Sequence, residues 1–217
     1  MTKVKASPFL FGLIIFCLFV LFSYLVHKDF FTALDFDTTV KIQDYFSRRF
    51  DTWFSSLSLL GSFEVASILI LISIALMRKL RLFFILISYG LIHFIELFGK
   101  IFITHPGPPY LFFRYDIPFS FPSSYVAPGF SYPSGHSART AFISTILLLM
   151  VYRSKKLSGF QKAIIFSLVL LFDAAMFVSR IYLGEHWLTD VVGGSILGLA
   201  FGVMSAALIY QKRLLKG

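Results

Sequence analysis

Six long apolar stretches are the feature of this sequence that most restricts its fold. A helix needs roughly 20 mainly apolar residues to cross a hydrocarbon core of about 30 Å, and six stretches of the 217-residue chain approach that length. Only 14% of the residues are charged, whereas soluble domains carry about 25%. The pattern predicts an all-α, six-helix transmembrane bundle that forms a single integral-membrane domain over residues 1–217. The predicted spans are Pro8–Val26, Leu57–Met77, Leu82–Thr104, Gly135–Tyr152, Phe160–Ile181 and Leu188–Tyr210.

The basic residues predict the orientation of these spans. Four alternate segments, beginning with the N-terminus, hold 12 of the 20 lysine and arginine residues and no acidic residue. Basic segments stay in the cytoplasm, so both termini are predicted to be cytoplasmic. Since the charges mark topology, the net charge of +9 does not indicate nucleic-acid binding. The first stretch is too long for a secretory signal and is interpreted as a retained span. The 12 residues are Lys3, Lys5, Arg78, Lys79, Arg81, Arg153, Lys155, Lys156, Lys162, Lys212, Arg213 and Lys216.

Two connections on the opposite, outer side are long. Asp29–Trp53 mixes charged and aromatic residues, and it is predicted to form an interfacial amphipathic helix in the first outer loop. His105–Pro133 is rich in proline and aromatic residues and is therefore predicted to be irregular. A long connection of this kind is a usual place for a binding site or a lid.

Ionisable residues collect at the outer ends of four predicted spans. Lys100 lies at the end of span three, Ser134–Arg139 open span four, and Arg180 closes span five. His186 and Asp190 begin span six. Ionisable groups at membrane depth are costly and usually face a polar cavity. The predicted topology therefore favours one polar site at this face over scattered interfacial charges.

The segment that opens span four has the properties of an anion site. Proline followed by Ser134 marks a helix start, and the free N–H groups at such a start bind anions. Gly135 would let the backbone approach a ligand closely, and His136 in the first turn could deliver a proton. The alternative is an ordinary serine-capped helix with an interfacial histidine.

The segment around the start of span six combines an imidazole with a carboxylate. His186 and Asp190 are four residues apart, so on a helix they share a face. A carboxylate that holds one imidazole nitrogen leaves the other free to attack or to abstract a proton. Arg180 offers a planar donor fork that suits phosphate oxygens. The alternative is an interfacial salt-bridge cluster with Trp187 as an anchor.

Together the two segments closely resemble the signature of the type 2 phosphatidic acid phosphatase superfamily. Pro133-Ser134-Gly135-His136 is similar to its P-S-G-H motif, and the residues from Ser179 to Asp190 are similar to its S-R-x5-H-x3-D motif. The resemblance covers roughly residues 100–194. The family's first motif, K-x6-R-P, is incomplete because Gly107 stands where arginine is expected after Lys100. Arg114 or His105 is hypothesised to reach the phosphate instead.

The resemblance implies a chemistry and a role for each matching residue. His186 would be the nucleophile of a phosphohistidine intermediate, Asp190 would orient it, and His136 would act as acid and base. No metal or cofactor is implied. The implied substrate is a lipid phosphate in the bilayer, such as undecaprenyl pyrophosphate, phosphatidic acid or phosphatidylglycerol phosphate. The enzyme is expected in a bacterial plasma membrane with its site on the extracytoplasmic side. The implied phosphate-binding residues are Lys100, Ser134, Gly135 and Arg180.

Other readings of the same residues stay open at this stage. Ser134, a histidine and Asp190 could form a serine-hydrolase triad, although no G-x-S-x-G elbow surrounds the serine. His136, His186 and Asp190 could bind a metal, and the chain could instead be a non-enzymatic lipid carrier. Arg139 could support the phosphate site or extend to the interface. Glu96 is interpreted as an ion-pair partner of Lys100, and a catalytic role is the alternative. Glu64 and Asp173 are predicted to line the polar interior.

Overall fold

The structure is a computed structural model that describes residues 8–77, 83–117 and 130–210 of the chain. These ranges form eight α-helices and two short 3₁₀ turns, Arg48–Phe50 and Tyr110–Phe112, and they contain no β-strand. The all-α prediction is therefore confirmed for the described ranges. The helices are α1 Pro8–His27, α2 Thr32–Tyr45, α3 Asp51–Leu59, α4 Phe63–Met77, α5 Phe83–Phe102, α6 Gly135–Arg153, α7 Gly159–Tyr182 and α8 Leu188–Tyr210.

Four helices in the described ranges are long and apolar enough to cross a membrane. They are α1, α5, α7 and α8, and a fifth span results if α3 and α4 are counted together across their 41° bend. The helix α6 does not meet the same criterion, because its first turns contain buried polar residues such as His136 and Arg139. The chain is an integral membrane protein. Six spans and cytoplasmic termini stay predictions, and eight of the basic residues behind the orientation lie outside the described residues.

The helices α6 and α8 form the centre of the bundle, and α1 packs along another side of α8. Three glycines of α8, Gly194, Gly198 and Gly202, lie one turn apart and face α6. A Cβ atom on Gly198 would collide with the carbonyl oxygen of Ala138, and one on Gly202 would lie 2.7 Å from Cβ of Thr145. Small residues at such crossings let two helix backbones approach closely. The polar first turns of α6 are thereby enclosed by protein.

The predicted second span is broken. Residues 51–77 form α3 and α4 with a break between Leu59 and Phe63, whereas the sequence predicted one span over Leu57–Met77. Inside a helix a carbonyl group bonds to the N–H four residues later, so a carbonyl is freed where the helix ends. At this break the carbonyl oxygen of Gly61 accepts a hydrogen bond of 2.9 Å from Nε of Arg139. The break therefore supplies a backbone acceptor to a buried arginine, a feature that hydropathy does not reveal.

The helix predicted in the first outer loop is present as α2, but its buried face is polar. Asp35, Thr39 and Gln43 are buried at four-residue spacing, while Leu34 and Phe36 are exposed. Nε2 of Gln43 donates to the carbonyl oxygens of Phe112 and Tyr182, at 2.6 and 2.8 Å. Unpaired buried backbone oxygens are costly, so these bonds stabilise the docked position of α2. The buried residues Asp35, Thr39 and Gln43 form a polar stripe, and this stripe packs against one end of the bundle.

Candidate active site

His186 and Asp190 meet at the start of α8, as the sequence predicted. Nδ1 of His186 lies 3.3 Å from Oδ2 of Asp190, and the backbone N–H of Trp187 donates to the same oxygen at 2.9 Å. The carboxylate thus satisfies a free N–H at the helix start while it holds the imidazole. Because Nδ1 is engaged, the lone pair is placed on Nε2, the nitrogen that can attack.

The surroundings of His186 favour its neutral form. His186 lies between the end of α7 and the start of α8, and it is buried. Burial lowers the pKa of His186, and the hydrogen bond to Asp190 opposes this effect only in part. A neutral imidazole at moderately acidic pH is the form that a nucleophile requires.

The start of α6 lies beside this pair. Ser134 caps the helix, and its Oγ accepts from the backbone N–H of Ser137 at 3.5 Å and from the Ser137 hydroxyl at 3.1 Å. Its own N–H donates to the carbonyl oxygen of Asp190 at 3.0 Å, which ties the starts of α6 and α8 together. His136 is buried. A Cβ atom on Gly61 would lie 3.1 Å from Cδ2 of His136, so the imidazole ring faces the break between α3 and α4.

Glu96 of α5 is the centre of a basic cluster at this end of the bundle. Lys100 Nζ lies 2.9 Å from its Oε1, and Arg139 Nη1 and His93 Nδ1 lie 3.1 and 3.2 Å from its Oε2. The predicted Glu96–Lys100 ion pair is confirmed. Arg139 is buried and directed inward, so an extension to the membrane interface is excluded for this residue. A Cβ atom on Gly135 would overlap the Glu96 carboxylate, which explains why glycine is needed at this position.

Arg180 is fully buried and makes two contacts that the sequence did not predict. Its Nη1 donates to Oγ of Ser58 in α3, and its Nη2 pairs with the carboxylate of Glu185. Gly184, at φ 68°, turns the chain between Arg180 and Glu185, and a Cβ atom there would overlap the carbonyl group of Phe112. A left-handed turn of this kind favours glycine. Ser58 lies 122 residues before Arg180, and Glu185 occupies a variable position of the motif, so the sequence indicates neither contact.

His105 and Arg114 have partners other than a phosphate. Nε2 of His105 faces Oδ2 of Asp35 at 3.6 Å and Oδ1 of Asp190 at 3.5 Å, so it lies next to the Asp190 oxygen that His186 does not face. Nη1 of Arg114 donates to the carbonyl oxygen of Phe46 at 3.2 Å, and its guanidinium lies over the ring of Tyr182 at 5.1 Å. None of these contacts is with Glu96 or with the basic side chains around it. The hypothesis that either residue replaces the missing arginine receives no support from this arrangement.

The arrangement suits the binding of an anion. Lys100, Arg139 and Arg180 are cations from three helices, and each faces a carboxylate that a bound phosphate could replace. Among the residues that the structure describes, no group of three or more histidine, cysteine, aspartate or glutamate side chains is placed to hold a metal.

Comparisons with known proteins identify a family for this chain. The family model of the PAP2 superfamily matches residues 78–214. A stretch of 70 residues is 33% identical to phosphatidylglycerophosphatase B of Bacillus subtilis and covers 32% of this chain and 34% of that protein. A stretch of 77 residues is 36% identical to a dihydrosphingosine 1-phosphate phosphatase of Schizosaccharomyces pombe and covers 34% of this chain and 18% of that protein. The matches thus span about a third and less than a fifth of those two relatives.

Two solved structures share the fold. The crystal structure of a transmembrane PAP2 type phosphatidylglycerolphosphate phosphatase from Bacillus subtilis superposes with a TM-score of 0.73 at 20% identity, over 95% of this chain and 97% of that one. The crystal structure of Aquifex aeolicus LpxE superposes with a TM-score of 0.59 at 26% identity, over 79% of this chain and 94% of that one. With the family match over more than half of the sequence, the expected membership is confirmed: the chain belongs to the PAP2 superfamily.

Proposed function

We propose that this protein is a membrane lipid phosphatase that hydrolyses a phosphate monoester or pyrophosphate through a phosphohistidine on His186. One observation carries the proposal: the buried imidazole of His186 is held at Nδ1 by Asp190, and its backbone N–H donates to the carbonyl oxygen of Arg180, a buried cation, at 3.3 Å. A neutral nucleophile next to a cation suits an electrophile that carries negative charge. Both sequence relatives are lipid phosphatases by name, which supports the substrate class.

In the first step, Nε2 of His186 attacks the phosphorus atom and the bond to the leaving oxygen breaks. His136, protonated, gives its proton to that oxygen, so the lipid alcohol or lipid phosphate leaves in neutralised form. Asp190 stabilises the positive charge that develops on the His186 ring. In the second step, His136 takes a proton from water, the water oxygen attacks phosphorus, and the N–P bond breaks to release inorganic phosphate.

The phosphoryl oxygens need positive charge in both steps. Lys100 and Arg180 supply it from α5 and α7, and the N–H groups of Gly135 and His136 supply partial charge from the first turn of α6. The N–H of Ser134 is bonded to the carbonyl oxygen of Asp190 and instead fixes the position of this turn. Arg139 supports the same region from α6, where it holds Glu96. Such positioned charges stabilise the spread charge of a phosphoryl-transfer transition state. No metal or cofactor is required in this scheme.

The apolar exterior favours a lipid over a soluble ester. The helices α1, α5 and α7 expose large apolar side chains along their length, so the site at their end borders on the bilayer. Acyl or prenyl chains could remain in the bilayer while the headgroup enters the basic cluster. Phosphatidylglycerol phosphate, phosphatidic acid and undecaprenyl pyrophosphate are the candidates that combine such a chain with a terminal phosphate.

The test is phosphate release from these three lipids by the purified full-length protein in detergent. We expect turnover of at least one lipid, little change with EDTA, and loss of activity in His186→Ala. A phosphoryl group that is trapped during turnover and is labile in acid but stable in base would identify the N–P bond. Strict dependence on a metal, or full activity of His186→Ala, would refute the mechanism.

The rival serine hydrolase makes a different prediction for Ser134. In the structure its Oγ caps α6, so Ser134→Ala should lower the stability by about 1 kcal/mol and reduce turnover without abolishing it. Complete loss of turnover together with covalent labelling of Ser134 would favour the rival.

The placement of the site on the extracytoplasmic side of a bacterial plasma membrane is part of the proposal. Tyr110 lies at the site end of the bundle and is 87% exposed. In a background where Cys17 is replaced by serine, Tyr110→Cys should react with an impermeant maleimide in intact cells. Labelling only after the cells are broken would place the site on the cytoplasmic side.

A further inference from the structure

His105 and the carboxylate of Asp35 lie next to Asp190, on the side of its oxygen Oδ1, which His186 does not face. His105 follows α5 in the chain, and its Nε2 lies 3.5 Å from Oδ1 of Asp190 and 3.6 Å from Oδ2 of Asp35. It also lies 3.3 Å from the hydroxyl oxygen of Thr189. All four side chains are buried. One imidazole nitrogen therefore bridges two carboxylates that come from α2 and α8.

Asp35 is fixed in this position by the start of α8. Its Oδ1 accepts the backbone N–H of Thr189 at 2.9 Å, and its Oδ2 accepts the Thr189 hydroxyl at 2.7 Å. Asp35 is therefore attached to the residue that precedes Asp190. Burial raises the pKa of Asp35, and the bonds from Thr189 oppose that effect. Two hydrogen bonds therefore join α2 to the start of α8.

The two oxygens of Asp190 have different surroundings. Oδ2 faces Nδ1 of His186 and accepts from the N–H of Trp187. Oδ1 is buried and has no hydrogen bond from the described residues, and the Nε2 atom of His105 lies nearest to it as an ionic partner. A buried carboxylate oxygen without a donor is costly, and two carboxylates in one buried site repel each other. The polar N–H edge of an imidazole placed between them offsets both effects.

We propose that His105, held by Asp35, is a positioning residue that keeps Asp190 oriented toward His186. The inference rests on the proposed function, since it assigns a role to the support of the same catalytic pair. The order of groups is Asp35, His105, Asp190 and His186, with the last as the nucleophile. His105 touches neither substrate nor reacting atoms, so its effect reaches the reaction only through Asp190.

The test compares His105→Gln, Asp35→Asn and the double variant with the wild-type protein, all full length and in detergent. His105→Gln should lower kcat by about 10-fold or more and change KM by less than about threefold, because loss of an outer partner misplaces the catalytic group but leaves the phosphate site intact. The substrate is the lipid that the wild type hydrolyses fastest.

The pH profile separates a charge effect from a loss of packing. Among the described residues, the titratable groups that face His105 are Asp35 from α2, Asp190 from α8 and Tyr132 before α6, and the Thr189 hydroxyl also lies next to it. In His105→Gln the two carboxylates share a buried site without the imidazole, and such a pair holds a proton more readily. The acid limb of kcat should therefore move to higher pH. In the double variant one carboxylate is gone, so the limb should return toward the wild-type position.

His27→Gln is the matched control. Nδ1 of His27 accepts from the backbone N–H of Thr104 at 3.3 Å, so this histidine holds the residue next to His105 without facing a carboxylate there. Its kcat and its pH profile should remain those of the wild type. A shift of the limb in His27→Gln equal to that in His105→Gln would attribute the effect to the loop and overturn the proposal.

The possible outcomes separate this inference from the proposed function. Phosphate release that survives in His186→Ala refutes the function itself. Wild-type activity that His186→Ala abolishes, together with unchanged kcat and acid limb in His105→Gln, overturns only the inference. If His105→Gln does not fold, Asp35→Asn tests the same bridge from α2. A lower kcat in that variant at unchanged KM supports the role of His105, and a wild-type kcat overturns it.

Discussion

Replacing Glu96 with glutamine removes the one negative charge that three basic side chains share at the end of α5. Lys100, Arg139 and His93 all lie within 3.2 Å of its carboxylate oxygens. Glutamine has nearly the same shape, so the change removes charge without creating a cavity. We expect the variant to be less stable than the wild type and to bind phosphate more tightly.

The size of the stability change follows from burial. Arg139 and Glu96 have side-chain exposures of only 6% and 9%, and breaking a buried pair by removing one partner costs about 3–5 kcal/mol. Lys100 is 35% exposed and can turn toward water, while the glutamine oxygen still accepts one hydrogen bond. The lower value, about 3 kcal/mol, is therefore expected, and it corresponds to a Tm decrease of about 6–12 °C for a chain of this size.

The assay is thermal unfolding in detergent with and without orthovanadate, a phosphate analogue. The anion should fill the place of the lost carboxylate, so it should raise the Tm of Glu96→Gln more than that of the wild type. KM for the lipid substrate should decrease for the same reason. Glu64→Gln is the control, because Oε2 of Glu64 is buried without a hydrogen-bond partner among the described residues and the loss of its charge should cost little.

Two results would refute this reasoning. An unchanged Tm in Glu96→Gln would show that the carboxylate does not hold the cations together. A large decrease in kcat at unchanged KM would instead make Glu96 a catalytic acid, the alternative that the sequence left open.

Three further predictions concern the charge, the packing and the pH dependence. A Cβ atom on Gly107 would lie 3.4 Å from Cβ of Ser131, an ordinary contact, so Gly107→Arg should fit and supply a charge-assisted bond of about 1.5–3 kcal/mol. It should lower KM by about 10- to 150-fold, whereas Gly107→Gln should not. Gly198→Leu should lower Tm, because its side chain would collide with the carbonyl oxygen of Ala138 in α6; an unchanged Tm would mean that α6 and α8 do not cross this closely. Because burial lowers the pKa of His186 from its usual 6.5, the imidazole stays neutral at lower pH. The acid limb of kcat/KM should then lie below pH 6.5, and a limb above that value would contradict the assignment.

Local features of the site could be predicted from the sequence because they depend on residues a few positions apart. The four-residue spacing of His186 and Asp190, and of Glu96 and Lys100, brings each pair onto one helix face. The serine cap of α6 follows from Ser134 at the start of an apolar run. Family membership could be predicted for the same reason, since the motifs are short and their spacings are intact.

The features that could not be predicted depend on residues far apart in the chain. The break between α3 and α4 was missed because its acceptor, the carbonyl of Gly61, serves an arginine 78 residues later. Asp35 was assigned to an amphipathic helix, and its contact with Thr189 joins residues 154 positions apart. His105 was expected to contact a phosphate because the sequence shows only its distance from Lys100.

By itself, then, the sequence determined that the chain is an all-α membrane protein with two motifs whose spacing is correct for a phosphatase of the PAP2 superfamily. Hydropathy and helix periodicity suffice for this because each acts within a single segment. The tertiary structure alone decided which carboxylate each cation faces, and that Asp35 of α2 is hydrogen-bonded to Thr189 at the start of α8. The physical reason is that a buried charge is stabilised by whichever partner the packing brings within a few ångströms, and sequence distance does not limit that choice.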